Sequence, residues 1–380
     1  MKIGIDCRTI LSPEMGERAG VGHYTYFLVK NLIELDKKNE YVLFFDLKYP
    51  EAREFKKKNT KLVFFPLTKY KKFLPYGYSH LIISSLINRE GLDVYHGTAN
   101  SVPLSLKVPC VVTIHDLAIY KHPSWFPPNQ GFSIKVLVPK SIEKAEKVIA
   151  VSESTKKDIK SIFKTSNNKI EIVYEGFEKA SRLARGKIEK ILKKFDIKGG
   201  YIFYVGTIEP RKNLDILVKA FDNVMMENFN KFKDYKLFIA GGRGWKFDKF
   251  FEAVKKSKCG RIRYLNYVSH EEKIALMSAA KCFAFPSLWE GFGLPVLEAM
   301  NLGTPVLTSN VSSLPEVAGK AAVLVNPKSV KAVEKGLTQI LKSDAKQKSM
   351  VKLGTEQAKK FSWKNCARET LKIYKEVNNK

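Results

Sequence analysis

Residues 201–213 read Tyr-Ile-Phe-Tyr-Val-Gly-Thr-Ile-Glu-Pro-Arg-Lys-Asn, and this order decides the fold class. Tyr201–Val205 is a short run apolar on both faces, which predicts a strand buried on both sides. Gly206 and Pro210 shape a tight turn, and Asn213 is placed to cap the helix expected over Leu214–Met226. Strand, turn and helix in that order are the repeating unit of a parallel sheet covered on both faces. Working outward, strands are expected at Leu237–Ala240, Ile262–Leu265, Cys282–Phe285, Val306–Thr308 and Val323–Val325. The helices between them fall at Phe247–Lys256, Glu271–Ala280, Pro295–Asn301 and Val330–Leu341.

The same alternation runs through the first half of the chain. Ile3–Cys7, Tyr41–Phe45, Leu62–Phe65, Val94–His96, Val111–Ile114, Val148–Val151 and Ile170–Val173 read as buried strands. Amphipathic helices are expected at Gly22–Leu35, Tyr78–Arg89 and Ser154–Phe163. Around 175–200 the pattern lapses into EGFEKASRLARGKIEKILKKFDIKGG, where a domain boundary is expected. From Gln347 onward there are two helical patterns and no strand. The economical architecture is α/β: two Rossmann-like, doubly wound parallel-sheet domains, 1–180 and 181–360, followed by a strandless tail. Such domains bind ligands at the carboxyl ends of their strands.

Composition narrows the function classes. The chain has 380 residues, 44% hydrophobic and 12% aromatic, which excludes a disordered chain or a small stapled scaffold. No run of about 18 apolar residues predicts a membrane span, and the first residues lack a signal peptide's apolar run. Five scattered cysteines without a CxxC pair point to reduced thiols, hence a cytoplasmic protein with neither zinc site nor disulfides. The net charge of +28 draws the chain toward polyanions, although Lys-rich composition alone also explains it.

Polar residues at the strand ends form a set. Gly20 and Gly22 before a helix would let backbone amides approach an anion, although a plain tight turn is the simpler reading of the pair. His115, in Thr113-Ile114-His115-Asp116, leaves a central strand where it could donate to a sugar hydroxyl or phosphate, act as a base, or merely hold a loop. His96 reads as structural. Arg211 and Lys212 stand at a helix start with no acid beside them, which suits a diphosphate. In Glu290-Gly-Phe-Gly-Leu-Pro-Val-Leu-Glu298, the glycines expose backbone amides and Pro295 opens a helix. Glu290 and Glu298 are expected to face one pocket, where carboxylates accept hydrogen bonds from vicinal diols.

These residues resemble the family 4 retaining glycosyltransferases, which share the two-domain GT-B fold. The similarity covers nearly the whole chain and is strongest in GTIEPRKN, EGFGLPVLE and GTPVLTSNVSSLPEVAG. Within the family, TIHDL, KHPSWFPP and TSNVSSLPEVAG look most like mannosyltransferases of polysaccharide and O-antigen assembly. The resemblance implies a GDP-mannose donor and a saccharide or lipid-linked acceptor. It also implies a C-terminal helix, 361–380, crossing back to the first domain. Arg211 and Lys212 would hold the donor diphosphate, beside Gly206; Glu298 would bind ribose and Glu290 the transferred hexose. Amides of Phe292, Gly293 and Leu294 would contact sugar and phosphate. His115 would contact the donor sugar near the reacting carbon, and Gly20 and Gly22 would approach the phosphates and acceptor. The first loop departs from the family in its G-V-G, and His23 stands where relatives often carry Arg, which touches the acceptor side.

No Asp-x-Asp occurs in the chain, so no metal cofactor is expected. Arg211, Lys212 and the following helix dipole are expected to stabilise the leaving diphosphate. The competing readings are a UDP-hexose donor on the same fold, a GT-B sugar-nucleotide epimerase, and a basic nucleic-acid-binding protein. Against the last, the aromatics fall in strands and cores rather than interleaving with the lysines on one element, and no known nucleic-acid-binding motif occurs. Acceptor contacts are expected from loops near 48–80 and 118–132. Basic residues from Arg53 to Lys72, followed by Phe73, Leu74, Pro75, Tyr76 and Tyr78, suggest peripheral contact with an anionic membrane.

Overall fold

A computed structural model describes residues 1–10, 20–47, 49–65, 83–128, 131–228 and 230–379. They form two compact units. The first holds Met1–Tyr120, Asn129–Gly176 and Phe361–Lys380, and the second holds Lys121–Pro128 and Phe177–Lys360. The sequence suggested a break near 180; in the structure the chain changes unit after Gly176. The charged stretch in which the boundary was expected carries a helix, Arg185–Lys194, within the second unit. The reason is local: Ile188 is buried on one side of that helix, while Lys187 and Lys194 pair with Glu271 and Glu272. Lys121–Pro128, which no composition change sets apart, also falls with the second unit.

Each expected strand forms. In the first unit β1 (Lys2–Asp6), β2 (Glu40–Asp46), β3 (Thr60–Phe65), β4 (Val94–Gly97), β5 (Cys110–Ile114), β6 (Lys147–Ala150) and β7 (Ile170–Ile172) order as β3-β2-β1-β4-β5-β6-β7. In the second, β8 (Tyr201–Val205), β9 (Lys236–Ala240), β10 (Ile262–Tyr264), β11 (Cys282–Phe285), β12 (Val306–Ser309) and β13 (Ala322–Val325) order as β10-β9-β8-β11-β12-β13. All pairs are parallel. The strand order reverses beside β1 and beside β8, so each sheet has a switch point. There the chains leaving neighbouring strands diverge and open a crevice at the carboxyl ends.

Burial explains the strand composition. Ile3, Ile5, Val42, Val111, Ile202, Phe203, Leu237 and Phe283 are wholly buried, as expected when helices cover both faces of a sheet. In the first unit the helix Val21–Leu35 buries Tyr24, Leu28, Val29, Leu32 and Ile33. Each such side chain contributes roughly 1.5–3 kcal/mol of gross burial energy. The final helix, Trp363–Asn378, packs against it and stacks Trp363 on Phe27 at 5.6 Å. Its Tyr374 is wholly buried and meets His96 at 2.6 Å, so the tail is part of the first unit's core. The helix expected over Tyr78–Arg89 forms from Ile83 to Asn88; its expected start lies outside the described residues.

Candidate active site

The loop after β8 is built backbone against backbone. Gly206 donates its amide to Ala240 at 3.0 Å. Across from it Gly241 adopts φ 134°, and a Cβ there would stand 2.0 Å from the Gly206 carbonyl oxygen. Only glycine fits such a position. Pro210–Lys212 then makes one short 3-10 turn before the helix Leu214–Glu227. Asn213 occupies the cap position but does not cap with its side chain. Its φ is 60°, and its amide donates to Pro286 at 3.0 Å and to Pro327 at 2.7 Å. One buried amide thus ties together the loops after β8, β11 and β13. A three-way loop junction offered the amide two buried carbonyls that would otherwise be orphaned, which outweighs a single cap bond.

The expected pair of cations with no acid beside them is corrected by this loop. Arg211 Nε donates to Glu209 Oε1 at 2.6 Å, and its Nη1 reaches Glu290 Oε2 at 3.2 Å and the Trp289 carbonyl at 3.3 Å. Lys212 Nζ donates to Glu290 Oε1 at 2.5 Å. Two cations and two carboxylates make a cluster of zero formal charge, with Lys212, Glu209 and Glu290 buried. The acids were missed because Glu209 is adjacent in sequence but turned inward, and Glu290 comes from a loop 78 residues away. Burial would lift the Glu290 carboxyl, but Lys212 and Arg211 overcome it and hold it below the ordinary carboxylate range. Burial, followed by repulsion from Arg211, pulls the Lys212 ammonium below the ordinary lysine range despite Glu290 and Glu209.

The Glu290 loop is held from behind by two serines to which the sequence reading gave no role. Ser312 Oγ accepts from the Glu290 amide at 3.0 Å. Ser313 Oγ donates toward the Glu290 and Phe292 carbonyls at 3.0 and 2.6 Å. Ser313 stands at the cap position of the helix Leu314–Ala318 but spends its hydroxyl on the neighbouring loop. Gly293, at φ 118°, starts the helix Leu294–Asn301, with Pro295 in its first turn. Phe292 is buried beside it.

Glu298 lies in that helix and takes a different partner from Glu290. Both its oxygens accept from Lys273 Nζ at 2.9 Å. The pair lines a narrow cleft with Glu178 and His270. Lys273 belongs to the helix His270–Ala279, which opens on a capping box between Ser269 and Glu272.

His115, Gly20 and Gly22 belong to the first unit. His115 Nε2 donates to the Thr98 carbonyl at 2.8 Å, and Nδ1 faces Glu175 Oε1 at 3.3 Å. Its backbone amide is fixed by Asn100 Oδ1 at 2.8 Å, and Tyr24 packs edge-on to the ring at 4.7 Å. Both ring nitrogens are therefore engaged within the unit. Gly20 is exposed at the cap of the helix Val21–Leu35, while Gly22 is buried inside its first turn rather than ahead of it. His96 is wholly buried between Tyr374 and Thr113, a structural role as read.

Two families match the chain: "Glycosyltransferase Family 4" over residues 18–180 and "Glycosyl transferases group 1" over residues 187–357. The chain is 35% identical to the O-antigen chain mannosyltransferase B of Escherichia coli over 286 residues, covering 74% of each chain. It is 28% identical to the serotype-specific mannosyltransferase WbdA of Escherichia coli over 59% of its own length, but spans only 28% of that longer protein. A glycosyltransferase structure from Rickettsia africae ESF-5 superposes with a TM-score of 0.75 at 16% identity, over 99% of this chain and 98% of the other. With the two parallel-sheet units, that likeness makes the fold GT-B.

Proposed function

This chain belongs to the family 4 glycosyltransferases, and from that premise we propose that it moves mannose from GDP-mannose to a saccharide or lipid-linked saccharide, retaining the anomeric configuration. The observation that carries the reading is the Glu209–Arg211–Lys212–Glu290 cluster at the carboxyl end of β8, beside the switch point. The O-antigen mannosyltransferase relative supports mannose as the transferred hexose.

In this reading Arg211 and Lys212 take the donor diphosphate, with the Gly206 turn beneath them. Their ion pairs orient both cations beforehand, so little side-chain entropy is lost on binding. Glu290, kept ionised by those cations, receives hydroxyls of the transferred hexose. Glu298, held by Lys273, receives the ribose diol. Amides of Phe292, Gly293 and Leu294 contact sugar and phosphate. His115 is assigned to the donor sugar, with Gly20 and Gly22 on the phosphate and acceptor side. As the anomeric C–O bond breaks, its electron pair goes to the diphosphate, where Arg211 and Lys212 stabilise the growing charge. The acceptor hydroxyl oxygen attacks from the same face, and its proton passes to a diphosphate oxygen. No step requires a metal cofactor.

A thermal-shift screen against GDP-, UDP-, ADP- and dTDP-hexoses tests the donor. A ligand at 100 times its Kd adds about 2.7 kcal/mol of stability. GDP-mannose should give the largest shift, and transfer from it should survive EDTA. A UDP-hexose shift exceeding that of GDP-mannose would reassign the donor. Hydrolysis or epimerisation without transfer would overturn the reaction class. No described helix is long and apolar enough to cross a membrane. A cytoplasmic enzyme meeting a lipid-linked acceptor at the anionic membrane face is part of the same proposal.

A further inference from the structure

The carboxyl ends of β11, β12 and β13 border a cavity of about 460 Å³ that the donor assignments leave unused. Small-molecule sites fall at roughly 300–1,000 Å³. Its walls are aromatic: Trp289, just before Glu290, with His122 and Trp125 from the segment 121–128. The His122 and Trp125 rings stack at 4.0 Å, and His122 meets Trp289 edge-on at 5.5 Å. The Lys121 ammonium lies 4.9 Å from the Trp289 ring centre. Asn310, Asn326 and Lys328, all exposed, supply amide and ammonium groups at the rim.

This cavity shares a wall with the charge cluster. The Leu288 amide donates to the Arg211 carbonyl at 2.7 Å, and the Trp289 carbonyl accepts from Arg211 at 3.3 Å. The segment Leu288–Glu290 therefore faces the cavity through its first two side chains and the cluster through its third. The nucleoside half of the donor is assigned to Glu298, which lines a different cleft. The donor hexose is assigned to Glu290. What remains for the cavity is the second substrate.

We infer that the cavity binds the acceptor, holding one neutral pyranose ring of a saccharide stacked on Trp289. A pyranose has an apolar C–H face and a rim of hydroxyls. An indole presents the electron-rich face that such C–H groups prefer, and primary amides both donate to and accept from hydroxyls. Among the described residues lining the cavity none is acidic, so none of them selects a cationic ligand. The inference rests on the transferase reading of the neighbouring cluster, and it accounts for an aromatic wall that the donor does not use.

Mannotriose is the probe, titrated into the full-length enzyme by calorimetry and by tryptophan emission, and then used as acceptor with GDP-mannose. Trp289→Ala should weaken mannotriose binding and raise its KM by about tenfold or more, with the Kd for GDP within about twofold of wild type. Trp289→Phe should fall between the two. Asn310→Ala, on a separate loop, should also raise the mannotriose KM at unchanged GDP affinity. Unchanged mannotriose parameters in both Trp289→Ala and Asn310→Ala would overturn the inference. So would a loss confined to GDP, or a wild type that binds no mannotriose. If wild type neither binds GDP nor transfers mannose, the transferase reading falls and this inference with it. If transfer persists with the acceptor KM untouched by either variant, only this inference falls.

Discussion

Replacing Lys212 with Met removes one cation from a buried four-charge cluster while nearly keeping side-chain volume. Glu290 then loses the 2.5 Å contact from Lys212 and keeps the Arg211 Nη1 contact, at 3.2 Å. Removing one partner of a buried ion pair typically costs 3–5 kcal/mol because an uncompensated charge stays behind. Arg211 remains, so the lower end applies, about 3 kcal/mol. For a unit of this size that corresponds to a Tm lower by roughly 6–12 °C. Turnover should fall about 100-fold or more, since a transition-state cation is gone. A double variant with Glu290→Gln removes the orphaned charge and should recover more than about 1 kcal/mol, although not turnover. Thermal denaturation of the single, partner and double variants closes the cycle. A Lys212→Met protein that loses under about 1 kcal/mol, or that keeps wild-type turnover, would refute the reasoning.

Four further outcomes are expected. Burial, with His115 nearby, holds His96 down to about 3 against an ordinary value of 6.5. Below 6.5 the unfolded chain binds a proton that the folded one refuses, so stability should fall by about 1.4 kcal/mol per pH unit toward pH 3. His96→Phe should flatten that slope in acid denaturation; an unchanged slope would exclude His96 as its source. Asn213→Ala should cost roughly 2–4 kcal/mol, from two lost hydrogen bonds and a left-handed φ, and Asn213→Gly should recover the backbone part; equal losses in both would refute the strain argument. Glu298→Gln should mainly weaken donor binding while Glu290→Gln mainly lowers turnover, because the nucleoside is bound alike in ground and transition states; identical KM and kcat effects would contradict the assignment. Arg53, Lys56, Lys57, Lys58 and Lys61 are exposed, while the rest of the basic-aromatic stretch, from Lys69 to Tyr78, lies outside the described residues. Co-sedimentation should require anionic vesicles and weaken with salt, since screening acts over about 8 Å at physiological ionic strength; binding indifferent to lipid charge would remove this role.

What the sequence alone determined is the architecture. A strand buried on both faces must be apolar throughout, so Tyr201–Val205 and its counterparts stand out whatever surrounds them. Glycine and proline at 206, 210, 293 and 295 mark turns because their backbone constraints are local. The positions of Arg211, Lys212, Glu290 and Glu298 at strand and helix ends were legible for the same reason. Their pairings were not. Whether Lys212 meets solvent, a ligand or Glu290 depends on how far the loop after β11 reaches toward the loop after β8, and that is set by Asn213, Ser312 and Ser313 acting across the sheet. Lys273 could pair with Glu298 only once two helices had packed side by side, and His115 found Glu175 sixty residues away. The aromatic cavity gathers His122, Trp125 and Trp289 from segments that no periodicity connects. Backbone preferences act over a few residues and survive in a one-dimensional reading; charge neutralisation and cavity shape act over a few ångströms of space, which only the folded chain defines.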